Sequence, residues 1–476
     1  MQYNNILQNI IKKYGCSNSF EVINPATNKI IIMLPAMSSD DTNILIEKSS
    51  IAQKKYAKLA PGVKSKLLRD LYNLIIKNIG ELAEIITLEN GKPLAEAMGE
   101  VNYGASFIEW YAEKAKRIDS RVFQHNSIAN TEGRVDYQPV GVVAAITPWN
   151  FPFAMITRKL APALASGCSI VIKPSELTPL SALALRELAL QVGFDADLFT
   201  VVYGDSKIIG AEMTSNKTVK KITFTGSTNI GKLLLLQSAS SVKKVSLELG
   251  GNAPFIVFES ADIQKAVTSI MIAKFRNAGQ VCIAPNRVFV HENVKAKFIK
   301  QLVSELETIK VGNGLEPTTT MGPLINIQAV EKAQKHIADA LSKGASIVFG
   351  GKSHILGGTF FEPTIIDNMT DDMLTSCEEI FAPVVVIFSF KTEDEVVQRA
   401  NNTPYGLASY FFSEDYKQIQ RVRNLIEAGM IGINTGMLSV ENGPFGGIKE
   451  SGLGREGSDD GIYEFMEAKY SLQSYY

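Results

Sequence analysis

A cysteine that follows a predicted helix is the first residue of this sequence with the chemistry of a nucleophile. An apolar-periodic run over residues 263–275 predicts a helix, and Cys282 lies in the loop after it. Gly279 permits a tight turn that would expose the thiol to a cleft, where it would react as a thiolate. A lone cysteine is commonly a buried core residue, so both interpretations stand for Cys282 taken alone.

Two further side chains suit the same chemistry. Glu248 ends an apolar strand and precedes two glycines; burial there would raise its pKa and make it a general base, whereas a salt-bridged loop glutamate is the simpler alternative. Asn150 links a strand to a helix, and its amide N–H would suit a developing oxyanion. Spacing alone favours a helix N-cap for Asn150.

Two strand ends suit parts of a nucleotide. Residues 224–232 (FTGSTNIGK) follow a strand and open a helix, whose N–H groups and dipole favour a phosphate. Residues 173–176 (KPSE) follow another strand, where Glu176 would accept hydrogen bonds from ribose hydroxyls and repel a 2′-phosphate. Ordinary capped turns remain the alternative for each stretch alone.

The composition excludes several classes of protein. With 476 residues, 45% hydrophobic and 20% charged, the chain fits a globular protein of two to four domains. Its formal net charge of −1 favours neither nucleic acid nor an anionic membrane as a partner. Four cysteines without a CxxC pair predict a reduced, cytoplasmic protein, and four histidines without ligand spacing predict no metal site. We see no signal-peptide pattern and no membrane-spanning run.

The elements that must position these residues alternate regularly. Helices are predicted at 39–57, 61–79, 79–90 and 94–115. Strands are predicted at 142–146, 169–172, 198–202, 220–224 and 242–247, and then at 255–258, 288–290, 346–348, 384–388 and 430–433. Helices between the strands predict two α/β units with buried parallel sheets. Strand-like residues near 120–138 and in the tail, 468–476, need a partner surface.

Seven short motifs occur in one order along the chain. They are 147–152 (TPWNFP), 173–176 (KPSE), 224–227 (FTGS), 247–251 (LELGG), 279–282 (GQVC), 378–381 (EEIF) and 444–447 (PFGG). With these motifs at this spacing, the chain resembles the aldehyde dehydrogenase superfamily over essentially its whole length. The resemblance implies a Rossmann-like NAD(P)-binding domain (1–119 and 139–248), an α/β catalytic domain (249–448) and a small β oligomerisation arm (120–138 and 449–476) of a homodimer or homotetramer.

The resemblance also implies roles for individual residues. Cys282 would be the nucleophile, Glu248 the base that hydrolyses a thioester and Asn150 an oxyanion-hole donor, with Lys159 near the catalytic centre. The cofactor would be NAD, with NADP as a second possibility. Its binding residues would be Trp149, Lys173, Ser175, Glu176, Gly226, Ser227, Leu249, Glu379 and Phe381.

Within the superfamily, residues 155–159 (MITRK), 274–280 (KFRNAGQ) and 434–439 (NTGMLS) are similar to those of succinate-semialdehyde dehydrogenases. This resemblance implies that Arg158, Arg276 and Ser439 bind the carboxylate tail of a small aldehyde, as paired guanidinium groups are suited to do. Glutarate semialdehyde or another ω-carboxyl aldehyde is the alternative substrate. A cofactor-free thiol esterase and a non-enzymatic protein of the same fold are further alternatives, which the cofactor motifs and the intact Cys282 and Glu248 argue against.

Two positions depart from the family pattern. Ala284 stands where some relatives carry a second cysteine, so a local disulfide with Cys282 is excluded. Ala382 stands where glycine is usual, and we expect little consequence beyond the backbone of the loop that carries Glu379.

Overall fold

Two sheets of mainly parallel strands form the body of the chain, and helices cover them. The computed structural model describes residues 3–16 and 20–475, so parts of the predicted lead-in and the last residue of the tail lie outside the described residues. Across those two ranges, no helix is long and apolar enough to cross a membrane.

The N-terminal quarter is largely helical, as predicted. Its elements are α1 (Asn5–Tyr14), β1 (Phe20–Asn24), β2 (Lys29–Leu34), α2 (Ser39–Tyr56), α3 (Pro61–Lys77), α4 (Ile79–Asn90) and α5 (Leu94–Lys114). A capping box between Ser38 and Asp41 starts α2, and left-handed Gly91 ends α4. The turn at Gly91 directs α5 back along the molecule, so that α5 packs against α3, α4 and the first helix of the next unit.

The first α/β unit follows an antiparallel excursion. The elements are β3 (Arg121–Gln124), β4 (Thr131–Pro139), β5 (Val142–Ile146), α6 (Ala154–Ser166), β6 (Ser169–Lys173), α7 (Leu180–Gln191), β7 (Phe199–Val201), α8 (Ser206–Ser215), β8 (Val219–Thr225), α9 (Thr228–Ser238) and β9 (Lys244–Glu248). Strands β9, β8, β5, β6 and β7 lie side by side and parallel, which confirms the predicted sheet. Helix α8 was not predicted, because only a narrow stripe of its residues is buried and its apolar periodicity is therefore weak.

The second unit is built in the same way. Its elements are β10 (Ala253–Val257), α10 (Ile263–Ile270), β11 (Pro285–His291), α11 (Glu292–Leu306), α12 (Ile327–Ser342), β12 (Ser346–Phe349), β13 (Thr364–Asp367), β14 (Val384–Phe390), α13 (Glu393–Asn401), β15 (Ala408–Phe412), α14 (Tyr416–Leu425), β16 (Met430–Ile433), β17 (Gly452–Leu453) and β18 (Met466–Ser474). The sheet order is β12-β13-β14-β11-β10-β15-β16. Strands β13 and β15 were missed, and β17 crosses back to pair with β9 of the first sheet.

The strands predicted to need a partner pair with one another. The tail strand β18 runs antiparallel to β4 from Met466 opposite Pro139 to Ser474 opposite Thr131, and β3 pairs with the other side of β4. This three-stranded sheet leaves its outer positions exposed.

The segment before Cys282 is not the single helix expected. Helix α10 ends at Ile270, and Met271–Phe275 forms a π-helical turn, a feature often found at functional sites. Asn277, Ala278 and Gly279 then adopt left-handed backbone conformations, with φ of 50°, 51° and 75°. A Cβ on Gly279 would lie 2.2 Å from the carbonyl oxygen of Ala382, so only glycine fits there.

Replacing Gly279 with alanine should therefore lower stability and activity together. The left-handed backbone alone costs a non-glycine residue about 1–2 kcal/mol, and relief of the clash must shift the loop that carries Cys282. Thermal unfolding and kcat measure the two effects. Gly80→Ala is the matched control, because an added Cβ there meets no atom within 4 Å and alanine favours the helix. Equal melting temperatures for the two variants would contradict this account.

Candidate functional site

A cavity of about 420 Å³ lies where the carboxyl ends of the parallel strands meet the second unit. Ligands of open α/β sheets bind at such edges, and the volume suits a small-molecule site. Most of the side chains predicted from the sequence line this cavity: Trp149, Asn150, Arg158, Gly226, Ser227, Glu248, Leu249, Arg276, Cys282, Glu379, Phe381 and Ser439. The fold thus brings together residues that are spread over almost 300 positions of the chain.

Cys282 is partly exposed and lies on the cavity wall. Burial of its surroundings raises the pKa of the thiol to about 12; the Glu379 carboxylate adds to the effect, and the Arg158 cation opposes it. A raised pKa disfavours the thiolate expected from the sequence, so attack on an electrophile calls for a base that removes the thiol proton.

Glu248 is buried at the end of β9. Burial raises its pKa well above the usual carboxyl value, and the nearby Glu456 carboxylate raises it further, against the cations of Arg158 and Lys159. Its Oε2 atom is buried and has no hydrogen-bond partner among the described residues. This direction agrees with the raised pKa predicted from the sequence, and a raised pKa makes the carboxylate a stronger base.

Asn150 does not cap a helix, so the interpretation favoured by spacing alone is wrong. Helix α6 begins four residues later, at Ala154. The Asn150 side-chain amide instead donates to the carbonyl of Gln280 at 3.1 Å, which directs it toward the Cys282 loop. This hydrogen bond uses one of the two amide N–H groups and leaves the other available to a ligand.

A buried ion pair that the sequence did not reveal supports this turn. Lys92 Nζ lies 2.5 Å from Glu100 Oε2 and donates to the carbonyl of Asn150 at 2.7 Å. The other Glu100 oxygen accepts the N–H groups of Phe153 and Ala154, at 2.9 and 3.2 Å, and so caps α6. Lys92 lies in a short turn and Glu100 on a helix, without a motif, so only the folded chain identifies them as partners.

Two arginines from different elements line the cavity, and both lie near Tyr103. The Arg158 guanidinium lies 3.8 Å from the centre of the Phe445 ring, and its Nη2 atom is 3.0 Å from Glu456 Oε2. The Arg276 guanidinium lies 5.2 Å from the ring centre of Phe151. Ser439 and Tyr103 also line the cavity. The sequence analysis missed Tyr103, because a tyrosine on an amphipathic helix carries no distinguishing pattern.

Lys159 lies behind the cavity wall. Its Nζ donates to Thr225 Oγ1 at 2.6 Å and pairs with Glu456, which also holds Arg158. Burial lowers the Lys159 pKa, while the Glu456 carboxylate raises it. Glu456 was missed by the sequence analysis, although it joins two of the predicted site residues.

The KPSE residues form a second cluster at the end of β6. Lys173 Nζ lies 3.1 Å from Glu176 Oε2 and 2.6 Å from Ser206 Oγ, which also donates to Glu176. Burial raises the Glu176 pKa, but the Lys173 cation and the hydrogen bonds from Lys173, Ser206 and the backbone together outweigh burial, so the net pKa is lowered. The Ser175 hydroxyl accepts the N–H of Leu177 at 3.3 Å. Ser206 starts α8, so it was missed together with that helix.

The FTGS turn and the Glu379 loop lie closer to Cys282. Ser227 caps α9, as predicted, by accepting the N–H of Ile230 at 3.4 Å. Burial raises the Glu379 pKa to about 7, against the cations of Lys332 and Lys274. In the same loop, the left-handed residue is Phe381, not Ala382, so alanine at 382 fits without strain.

The sequence matches the model of the aldehyde dehydrogenase family over residues 12–471. It is 50% identical over 454 residues to the mitochondrial succinate-semialdehyde dehydrogenase of Arabidopsis thaliana, covering 95% of this chain and 86% of that protein. It is 50% identical over 452 residues to the glutarate-semialdehyde dehydrogenase of Pseudomonas aeruginosa, covering 95% and 93%. It is 49% identical over 452 residues to the NADP(+) succinate-semialdehyde dehydrogenase GabD of Escherichia coli, covering 95% and 94%.

Solved structures agree with these matches. The succinate-semialdehyde dehydrogenase of Burkholderia pseudomallei superposes with a TM-score of 0.95 at 49% identity, covering 96% of this chain and 95% of that one. The betaine aldehyde dehydrogenase of Staphylococcus aureus, in complex with NAD+, superposes with a TM-score of 0.94 at 33% identity, covering 99% and 97%.

The raised pKa of Cys282 predicts how the free protein reacts with iodoacetamide. The thiolate is a small fraction at neutral pH and rises about tenfold for each pH unit below the pKa. The alkylation rate of Cys282, followed by peptide mass spectrometry, should therefore climb from pH 7 to pH 9 without levelling off. A plateau with a midpoint near pH 7 would contradict the thiol state described above. Cys282→Ala identifies the signal that belongs to this residue.

Proposed function

The chain belongs to the aldehyde dehydrogenase family, and from this we propose that it oxidises succinate semialdehyde to succinate with NAD as electron acceptor. One observation carries the proposal: a single cavity is lined by a thiol, a buried carboxyl group, an asparagine side chain and two arginines. The first three suit attack on an aldehyde. The arginines suit the carboxylate at the other end of the substrate.

The residues present fit a nicotinamide dinucleotide. Lys173, Glu176 and Ser206 offer charged and hydroxyl groups to a ribose at the end of β6. The N-terminus of α9 at Ser227 offers backbone N–H groups to phosphates, and the Glu379 carboxyl group, which also lines the cavity, suits the second ribose. Trp149, Leu249 and Phe381 line the cavity with apolar surface. Ser175 lies in the turn after β6, between Lys173 and Glu176. When bound, the dinucleotide accepts a hydride.

The protein's own groups account for the remaining steps. The Cys282 sulfur bonds to the aldehyde carbon, the thiol proton passes to a base, and the carbonyl oxygen becomes an oxyanion held by the Asn150 amide and the Cys282 N–H. Loss of hydride from that carbon leaves a thioester on Cys282. Glu248 takes a proton from water, which attacks the thioester, and the carbon–sulfur bond breaks to release the carboxylate and the free thiol.

The two end groups do not fix the length of the substrate, and the alternative substrate is glutarate semialdehyde. One relative at 50% identity carries that name, and its substrate has the same two end groups with one additional methylene. For two substrates that differ by one methylene, a hydrophobic pocket changes kcat/KM by about 10–200-fold at most. A comparison of kcat/KM for the two semialdehydes decides between them.

The division into domains and the assembly of subunits are proposed by analogy with the family. We infer that residues 1–119 and 139–248 form the dinucleotide domain, 249–448 the catalytic domain, and 120–138 with 449–476 an arm that joins subunits into a homodimer or homotetramer. The exposed three-stranded sheet β18-β4-β3 supports a role for the arm in assembly. A cytoplasmic location stays a prediction from the sequence.

Removal of either arginine should impair recognition of the carboxylate. A hydrogen bond to a charged group contributes roughly 1.5–3 kcal/mol, about ten- to more than a hundredfold in a rate or equilibrium constant. We expect Arg276→Ala and Arg158→Ala to lower kcat/KM for succinate semialdehyde by about that factor. Butanal, which has the same chain length and no carboxylate, should be oxidised at a nearly unchanged kcat/KM. A parallel loss for both aldehydes would mean that the arginines are structural.

Glu176 should favour NAD over NADP. Its carboxylate accepts hydrogen bonds from a ribose hydroxyl but repels a 2′-phosphate, and two like charges ~4 Å apart at an effective dielectric of ~20 cost on the order of 4 kcal/mol before screening. We expect kcat/KM to be higher with NAD, and Glu176→Gln to narrow the difference. The neighbouring Lys173 cation works against this preference, so a kcat/KM that favours NADP would show that Lys173 dominates the site.

A further inference from the structure

The oxyanion site draws its two N–H donors from segments that are distant in sequence. One is the side-chain amide of Asn150 and the other is the backbone N–H of Cys282. Both must point at the same oxygen atom, and misplacement of a catalytic group by about 1 Å can cost on the order of 100-fold in rate. Some contact must therefore fix the separation of the two segments.

Asn277 joins these two segments. Its Nδ2 atom donates to the carbonyl of Asn150 at 2.9 Å and to the carbonyl of Gln280 at 3.3 Å. The Asn150 amide donates to the same Gln280 carbonyl at 3.1 Å. One buried side chain thus ties the residue that carries the oxyanion amide to the residue two positions before the nucleophile.

Asn277 is itself held firmly. Its backbone N–H donates to Glu96 Oε2 at 2.7 Å, and its φ of 50° is a left-handed conformation that asparagine tolerates better than most residues. Ala278 beside it is also left-handed, and such residues persist where their surroundings hold them. Lys92 Nζ, which pairs with Glu100, is a second donor to the Asn150 carbonyl, at 2.7 Å.

We propose that Asn277 is a positioning residue that sets the Asn150 amide relative to the Cys282 N–H, with Lys92 supporting the same carbonyl. The inference rests on the proposed function, in which Asn150 is an oxyanion donor. It assigns a task to the amide of Asn277 that differs from the task of its neighbour Arg276, which recognises the carboxylate tail.

Asn277→Gly is the decisive variant, because glycine keeps the left-handed backbone and the N–H that donates to Glu96, and removes the side chain that bonds the Asn150 carbonyl. We expect kcat for succinate semialdehyde to fall on the order of 10–100-fold, with KM and the alkylation rate of Cys282 by iodoacetamide changed less than about twofold. Asn368→Gly is the matched control: its φ is 63°, and its amide donates to Ser346 Oγ at 3.2 Å, away from the cavity. The control should keep full activity.

A double-mutant cycle distinguishes positioning from general damage. Asn150→Ala keeps the backbone carbonyl and removes the amide, so adding Asn277→Gly to it should cause no further loss of kcat. A further loss as large as that of Asn277→Gly alone would overturn the proposal. Full activity of the Asn277→Gly variant, together with impaired activity of the Asn150→Ala variant, would also overturn the proposal. If Asn150→Ala itself has normal kcat, the oxyanion role in the proposed function fails, and the inference fails with it.

A second variant covers the case in which Asn277→Gly does not fold. Lys92→Met with Glu100→Gln removes the other donor together with its counter-charge, so no buried charge is left unpaired. This double variant should lower kcat in the natural chain, and it should cause no further loss of kcat when Asn150→Ala is already present. Equal losses in both backgrounds would contradict the proposal.

Discussion

The burial of charge around one cavity is the constraint on which the rest of the structure depends. A buried charge without a partner costs several kcal/mol, so each one must find a counter-charge or a set of hydrogen bonds. Lys92 pairs with Glu100, while Arg158 and Lys159 share Glu456. The pairs with Glu456 join α6 to the segment before β18. Glu100 also accepts the N–H groups of Phe153 and Ala154, and so joins α5 to the start of α6. The same contacts that neutralise the charges therefore hold together the elements that form the cavity wall.

The same desolvation sets the resting state of the reactive groups. It raises the pKa of both Cys282 and Glu248, so each group favours its protonated form more strongly than it would in water. An uncharged thiol beside a weakly acidic carboxyl group avoids two neighbouring anions in a buried space.

Local sequence was sufficient for the features that depend on near neighbours. Apolar runs such as 142–146 identified the buried parallel strands, since a strand covered on both faces has no polar side. The family resemblance carried by the short motifs implied that Cys282, Glu248, Asn150 and the two arginines belong to one site, and the fold brings them to one cavity. The family followed from the order and spacing of the same motifs.

Tertiary structure alone decided the features that depend on distant partners. The short helix α8 and the strands β13 and β15 are stabilised by the sheets they join, and their own patterns are weak. No local pattern connects Lys92 with Glu100 and the Asn150 carbonyl, or Asn277 with the same carbonyl. The sequence by itself determined which residue types carry the chemistry and which strands end beside them. The folded chain determined their separation, their burial and hence their protonation, because electrostatic and hydrogen-bond energies depend on distance in space and not on distance along the chain.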